Sequence, residues 1–142
     1  GLRSGTEGTP AIFGFAAAAG AGAKTLRQDS VREKELIAYL ADKLSALPGV
    51  VINGAHEAPH ILSIAIPGVP TQNSINILQD AGICVSAGSA CAKGHRSHVL
   101  SAMEVPGAVI DAAFRVSLCR DTTKAELDAL VQVITRDILP RI

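Results

Sequence analysis

The stretch Phe114-Arg115-Val116-Ser117-Leu118 alternates apolar and polar side chains. This alternation predicts a β-strand, from which the rest of the fold can be assigned. A period of two is typical of a β-strand with one face against a core and the other in water. Alternation places Arg115 on the solvated face, yet an arginine on a strand is also a rigid fork of N–H donors suited to a carboxylate. Both interpretations of Arg115 remain open on the residues alone.

A helix is predicted after this strand, because Thr123 and Glu126 have the spacing of a capping box. Apolar residues then recur at helical intervals: Leu127, Leu130, Val131, Ile134 and Ile138. Earlier in the chain, strands are predicted over residues 50–52, 61–66 and 83–85, and a helix over residues 71–80. Ser97 is the predicted N-cap of a further helix that runs through Met103.

The N-terminal part of the chain predicts two helices. The first covers residues 10–27, is rich in Ala and Gly, and has Pro10 in its first turn. Because it has so few charges, it would expose an apolar surface unless another backbone packs closely on it. The second presents leucines and an isoleucine at helical spacing and ends at Pro48-Gly49. The predicted fold is α+β: a small, mostly antiparallel sheet covered by helices on one face and preceded by a long N-terminal helix pair.

Composition excludes several classes of function. The 142 residues are 48% hydrophobic and 18% charged, which is too apolar for a disordered chain. Thirteen basic and thirteen acidic residues leave no net charge, and aromatic residues make up 3%, so neither nucleic acid nor an anionic membrane is an expected partner. Prolines interrupt the longest nearly uncharged stretch, residues 58–79, so no membrane-spanning helix is expected there. Three cysteines without a secretory leader predict a reduced, cytoplasmic setting.

The stretch from Gly88 to His98 has the composition of a reactive loop. Cys91 lies among small residues, and four basic side chains follow within seven positions: Lys93, His95, Arg96 and His98. Nearby positive charge favours thiolate over thiol. An ordinary free cysteine, a thiol hydrolase pair with a histidine, and a zinc site that also uses Cys84 stay open as alternatives. The spacing matches no common zinc pattern, and Cys84 lies between Ile83 and Val85 as in a core strand, so no metal is expected.

Several motifs together resemble a known family. They are Arg3-Ser4-Gly5-Thr6-Glu7, Pro67-Gly68-Val69, Val85-Ser86-Ala87-Gly88-Ser89-Ala90-Cys91, Ser97-His98-Val99-Leu100, Phe114-Arg115-Val116-Ser117-Leu118 and Thr122-Thr123. In this order they resemble the C-terminal part of a cysteine desulfurase, a pyridoxal-phosphate (PLP) enzyme of the class V aminotransferase family. The Gly-Ser-Ala-Cys loop is similar to that of the desulfurases of iron–sulfur cluster assembly.

The resemblance assigns roles to three residues. Cys91 would attack the sulfur of substrate L-cysteine and carry it as a persulfide, while Arg115 would bind the substrate carboxylate. Thr6 would reach the phosphate of PLP held by the partner subunit of a homodimer. A lysine on a preceding large domain would hold PLP as a Schiff base, and the pyridine ring would act as the electron sink.

The resemblance also implies a domain organisation and partners. Residues 1–27 would belong to or pack on the absent large domain, and residues 28–142 would form the small C-terminal α+β domain. A sulfur acceptor or scaffold protein would take the sulfur for iron–sulfur cluster or thio-cofactor assembly. Without the Schiff-base lysine, this polypeptide alone would be inactive. Two alternatives are a stand-alone sulfur-carrier or regulatory interaction domain without catalysis, and a member of the selenocysteine lyase type.

The sequence departs from the family pattern at several places. Cys119 and Asp121 stand where Gly and Phe are frequent, and Gly8 stands where Asn is common after Glu7. The loop between Cys91 and Ser97 is shorter than is usual in the family. The shorter loop bears on whether Cys91 reaches the active site.

Overall fold

Four short antiparallel strands form a sheet in the part of the chain that the structure describes. The structure, a computed structural model, describes residue 5 and residues 7–55, 57–88 and 96–142. The strands are β1 (Val51–Asn53), β2 (Ile61–Ala65), β3 (Ser86–Ala87) and β4 (Ala113–Ser117). They lie side by side in the order β1-β2-β4-β3, so β4 is central although it comes last in the chain.

Helices connect and follow these strands. Their bounds are α1 (Thr9–Ser45), α2 (Thr71–Asp80), α3 (His98–Ala102), α4 (Gly107–Ile110) and α5 (Lys124–Val133). The last helix continues as a π-helical turn over Ile134–Ile138 and a 3-10 turn over Leu139–Arg141. The predicted α+β class is confirmed, as are the extents of β2, α2 and β4 to within one residue. None of the described helices is both long and apolar enough to cross a membrane.

One face of the sheet carries the main core. Its central side chains are almost fully buried: Leu62, Ile64, Phe114 and Val116. The second half of α1, α2, α5 and the π-helical turn after α5 supply the other side of this core, including Leu40, Leu44 and Ile134, each at 0% exposure. Because these side chains recur at strand or helical intervals, burial of one face follows from the periodicity of the sequence.

The opposite face of the sheet is only partly covered. Ala65 and Ala113 pair across β2 and β4, and with Ala112 they form a small second cluster. Leu100 of α3 and Val109 of α4 pack against that cluster. The short α3–α4 unit therefore covers one end of this face, and small alanines let it approach closely.

The two predicted caps are present. The Ser97 hydroxyl accepts a hydrogen bond from the Leu100 N–H at 3.3 Å at the start of α3. At the start of α5, the Thr123 hydroxyl accepts from the Glu126 N–H at 3.3 Å, and the Glu126 carboxylate accepts from the Thr123 N–H at 2.7 Å. This is the reciprocal capping box that the spacing predicts.

The predicted N-terminal helix pair is one continuous helix. α1 runs 37 residues without a break, through the region between residues 27 and 36 where a junction was expected. Gly14, Gly20 and Gly22 weaken the helix by about 1 kcal/mol each relative to Ala. Only proline or a turn signal would stop it, and none occurs between Pro10 and Pro48. The prediction of two helices therefore rested on a change of composition and not on a helix breaker.

The third strand lies later in the chain than expected. The prediction placed it at residues 83–85, whereas β3 is Ser86–Ala87. The Ile83 N–H is already used, since it donates to the Leu78 carbonyl at 2.8 Å and closes the end of α2. Ile83 and Val85 pack their side chains against the core, but only Ser86 and Ala87 lie opposite the backbone of β4. The single turn α4, which the sequence analysis missed, is too short to show a helical period.

Cys84 is not a core residue. It lies between α2 and β3 and is exposed, although its neighbours Ile83 and Val85 are half-buried. The prediction of a core strand was wrong at this position because pairing with β4 begins only at Ser86, which leaves Cys84 in the exposed connection before β3.

Candidate functional site

A row of polar residues crosses the sheet on its partly covered face. The strand register places Asn53 of β1 opposite Ser63 of β2, Ser63 opposite Arg115 of β4, and Arg115 opposite Ser86 of β3. Residues paired in this way have side chains on the same face, about 5 Å apart at their Cβ atoms. Four strands thus bring four polar side chains into one line, with the single positive charge of Arg115 between two serines.

Arg115 occupies a fixed backbone position with an exposed side chain. Phe114 and Val116, its neighbours in β4, are 1% and 6% exposed and anchor the strand in the core. Since side chains alternate, the guanidinium leaves the sheet on the opposite face, away from α1 and α5. It has no hydrogen bond or ion pair with any described residue. This arrangement leaves its N–H donors available to an anionic ligand.

The buried end of the row is Asn53. This residue is 8% exposed, and its Nδ2 donates a hydrogen bond to the Ser63 Oγ at 3.3 Å. Ser63 is half-buried, whereas Arg115 and Ser86 are exposed. The row therefore runs from a buried amide at one side of the sheet to an open edge at β3.

The chain that follows the predicted reactive loop is anchored near this face. Arg96 binds Asp111 through two hydrogen bonds, Nε to Oδ1 at 2.7 Å and Nη2 to Oδ2 at 2.5 Å. Asp111 caps the end of α4, and its backbone carbonyl accepts from the Thr71 N–H at 3.0 Å at the start of α2. The adjacent guanidinium lowers the pKa of the Asp111 carboxyl through these hydrogen bonds, so the pair stays ionised at neutral pH.

The two ends of that loop lie close together. A Cβ built on Gly88, directly after β3, would be 3.7 Å from the Cβ of Ser97. Ser97 begins α3, and α3 packs through Leu100 on the alanine cluster. Gly88 just after β3 and Ser97 at the start of α3 therefore lie next to each other at the β3 edge of the sheet.

The structure describes one of the three predicted site residues. Arg115 lies in the polar row, whereas Cys91 and Thr6 are outside the described residues, as are Lys93 and His95. His98 is the first residue of α3 and is exposed. Within residues 7–55, 57–88 and 96–142, no three His, Cys, Asp or Glu side chains come together in a way that could hold a metal ion.

Cys119 has an environment that the sequence analysis did not identify. It lies two residues after β4 in a turn where its N–H donates to the Thr122 hydroxyl at 3.0 Å. The backbone N–H of Asp121 and the Thr122 hydroxyl, which is 3.6 Å from the Sγ, lower the pKa of the Cys119 thiol. The spacing Cys-x-x-Thr is the signal in the sequence, because a hydroxyl three residues on can reach back across a turn.

The sequence matches a described protein family over most of its length. Residues 1–130 match the family described as aminotransferase class-V. The chain belongs to the class-V aminotransferase family. Among its curated relatives in this family, a protein from Nostoc sp. named cysteine desulfurase is 34% identical over 139 residues. A cysteine desulfurase from Bradyrhizobium diazoefficiens is 36% identical over an aligned length of 151 residues. That alignment covers 99% of this chain.

Solved structures of NifS-like proteins share the fold. A NifS-like protein superposes with a TM-score of 0.86 at 32% identity, over 100% of this chain and 36% of its own. The NifS-like protein from Rickettsia africae gives a TM-score of 0.81 at 30% identity, over 94% of this chain and 35% of its own. The chain spans 35% of the Nostoc relative and 37% of the Bradyrhizobium relative. It therefore corresponds to about a third of a NifS-like protein.

Proposed function

We propose that this chain is the C-terminal part of a PLP-dependent cysteine desulfurase that converts L-cysteine to L-alanine and leaves the sulfur on Cys91. The observation that carries the proposal is the position of Arg115: a guanidinium on a core-anchored strand, exposed on the open sheet face. The relatives named cysteine desulfurase supply the reaction, since family membership alone does not specify one.

Arg115 is proposed to bind the carboxylate of the amino-acid substrate. A planar guanidinium can form two parallel N–H···O bonds with a carboxylate, which fixes the orientation of the substrate as well as its affinity. The neighbours of Arg115 across the sheet, Ser63 and Ser86, are small and neutral. They leave room for a ligand and add no charge that would compete with a carboxylate.

Cys91 is proposed to accept the sulfur. Its thiolate attacks the sulfur of L-cysteine, an S–S bond forms, and the bond between that sulfur and the substrate β-carbon breaks. The electron pair of the broken bond stays with the carbon, which takes up a proton, so that the products are alanine and a persulfide on Cys91. A sulfur acceptor or a scaffold protein of iron–sulfur cluster assembly would then remove the outer sulfur.

The described residues do not supply the anchor that PLP needs. The described lysines are Lys24, Lys34, Lys43 and Lys124, all on α1 or at the start of α5. Lys43 and Lys124 both lie over the Tyr39 ring, each 4.9 Å from its centroid. The second half of α1 and α5 pack on the core face of the sheet, opposite to the face from which Arg115 projects. We therefore propose that a lysine of the large domain holds PLP, that Thr6 contacts its phosphate in the partner subunit, and that the isolated chain is inactive.

The first half of α1 is proposed to pack on that large domain. Its large apolar side chains are between 56% and 78% exposed: Ile12, Phe13, Phe15 and Leu26. Nothing lies within 4 Å of a Cβ built on Gly14, Gly20 or Gly22. An apolar helix face next to glycines permits close approach by another element. The proposed segment is residues 1–27, and residues 28–142 form the small domain.

The proposal is tested with the longer protein that contains this chain, supplied with PLP and L-cysteine. Alanine and sulfide should form in equal amounts in the presence of a thiol reductant. Arg115→Ala should raise KM for cysteine by about 100-fold, because truncating one partner of a paired charge costs several kcal/mol. Arg120→Ala, which removes an exposed arginine outside the polar row, is the matched control and should leave KM unchanged.

Cys91→Ser tests the second step. This variant should still bind cysteine but form no persulfide, which mass spectrometry of the intact protein detects. An unchanged KM in Arg115→Ala, or normal sulfur transfer by Cys91→Ser, would contradict the assigned roles. Persulfide uptake from a donor without any alanine formation would favour a sulfur-carrier domain, and a marked preference for selenocysteine would favour a selenocysteine lyase.

A further inference from the structure

The polar row contains a hydroxyl that the proposed mechanism has not yet used. Ser63 lies directly opposite Arg115 across β2 and β4, on the same face of the sheet. Its Oγ accepts a hydrogen bond from the Nδ2 of Asn53 at 3.3 Å. Because Asn53 is 8% exposed and is held in β1, this interaction comes from a fixed position on the far side of Ser63 from Arg115.

The bond from Asn53 determines what Ser63 can do next. A serine hydroxyl has one proton to donate and two lone pairs, and the Asn53 amide occupies one lone pair. The Ser63 proton finds no acceptor among the side chains and carbonyls that the structure describes. A hydroxyl that accepts on one side is polarised toward donation on the other, which is the side of Arg115.

We propose that Ser63, oriented by Asn53, donates a second hydrogen bond to the carboxylate that Arg115 binds. Ser63 would then be a specificity-determining residue for substrates with a carboxylate, and Asn53 a positioning residue that acts through it. This inference rests on the proposed function, since it requires a carboxylate at Arg115. It adds to that function a second hydrogen-bond donor for the carboxylate, so that the carboxylate is bound by side chains of two paired strands, β2 and β4.

The opposite neighbour of Arg115 is a weaker donor site. Ser86 lies in the two-residue edge strand β3 and is exposed. No hydrogen bond from a described side chain orients its hydroxyl, and water competes for it. The structure therefore distinguishes the two serines: Ser63 is pre-oriented, so it loses little freedom on binding, whereas Ser86 must be ordered by the ligand.

The test measures steady-state desulfuration by the longer protein with PLP, and the calorimetric dissociation constant of L-alanine, a carboxylate ligand that is not turned over. Ser63→Ala should raise both KM for cysteine and the dissociation constant of alanine by about ten- to a hundredfold, as expected for one lost hydrogen bond to a charged group. Its kcat should stay within about twofold, since the carboxylate takes no part in bond breaking. Ser63→Thr keeps the hydroxyl, so both constants should stay close to their wild-type values.

A serine elsewhere on β4 provides the control, and Arg115→Ala provides the comparison. Ser117→Ala changes a serine on the same face of β4, two residues from Arg115 and opposite Ile61, and should change neither constant. If Arg115→Ala weakens binding but Ser63→Ala leaves both constants within about twofold of wild type, the role of Ser63 is wrong and the proposed function stands. If Arg115→Ala has no effect, both fail.

A purely structural role for Ser63 predicts a different result. It would change kcat or thermal stability and leave the alanine affinity unchanged, which overturns the proposal. Ser63→Cys, which is close in size but has only a weak S–H donor, gives the same comparison should Ser63→Ala fail to fold. Asn53→Ala should produce a smaller loss of affinity than Ser63→Ala, because the Ser63 hydroxyl remains but is no longer oriented.

Discussion

Ser74 has a buried hydroxyl for which no hydrogen-bond partner exists among the described residues. It lies in α2 at 0% exposure, and its Oγ is isolated from water. A helical serine normally bonds to the carbonyl four residues earlier, here that of Pro70. That carbonyl already accepts two N–H groups, from Asn73 at 2.9 Å and from Ser74 itself at 3.2 Å. The hydroxyl is therefore left without an acceptor.

Ser74→Ala should stabilise the protein. Removing a buried hydroxyl without a partner relieves a desolvation penalty of about 1–3 kcal/mol. Alanine adds about 0.5 kcal/mol of helix propensity relative to serine. The atom-sized void that remains offsets part of this gain. The expected net increase in the free energy of unfolding is about 1–2 kcal/mol, which corresponds to roughly 3–6 °C in Tm for a chain of this length.

Urea unfolding followed by circular dichroism measures this change, and the m-value should stay constant because the exposed area does not change. Ser101→Ala, at an exposed position of α3, is the matched control and should change stability by no more than about 0.5 kcal/mol. If Ser74→Ala lowered the free energy of unfolding by more than about 0.5 kcal/mol, the hydroxyl would have a partner in solution and the argument would be refuted.

Two further predictions concern the surroundings of the site. Gly107→Ala should raise the pKa of the Asp111 carboxyl toward its usual range, because the added methyl would lie 2.8 Å from the Nη1 of Arg96 and displace the guanidinium. The pair stabilises the fold above the usual carboxyl pKa and loses this effect as pH falls through the lowered value, so an unchanged titration by NMR would contradict the contact. Thr122→Val should raise the pKa of the Cys119 thiol and slow its alkylation at neutral pH, since it removes a hydroxyl near the sulfur. Equal alkylation rates in both proteins would contradict a contribution of the Thr122 hydroxyl to the lowered pKa.

Much of the fold could be predicted from local patterns. Alternation in β4, the capping box of Thr123 and Glu126, and the Ser97 cap each depend on residues within a few positions of one another. Such features appear directly in a sequence because backbone geometry fixes their periods and spacings. The shifted β3 could not be predicted in this way, since its position depends on which residues lie opposite Phe114 and Arg115 in another strand.

The same distinction between local sequence pattern and strand pairing applies to the candidate site. The sequence by itself determined the class of fold, the exposure of Arg115 through alternation, and the resemblance that assigns Cys91, Arg115 and Thr6. Only the tertiary structure decided that Asn53 and Ser63 lie beside Arg115 and that the Asn53 amide orients the Ser63 hydroxyl. The physical reason is that a sheet joins residues about 50 and 60 positions apart through strand register, which no local period of the sequence encodes.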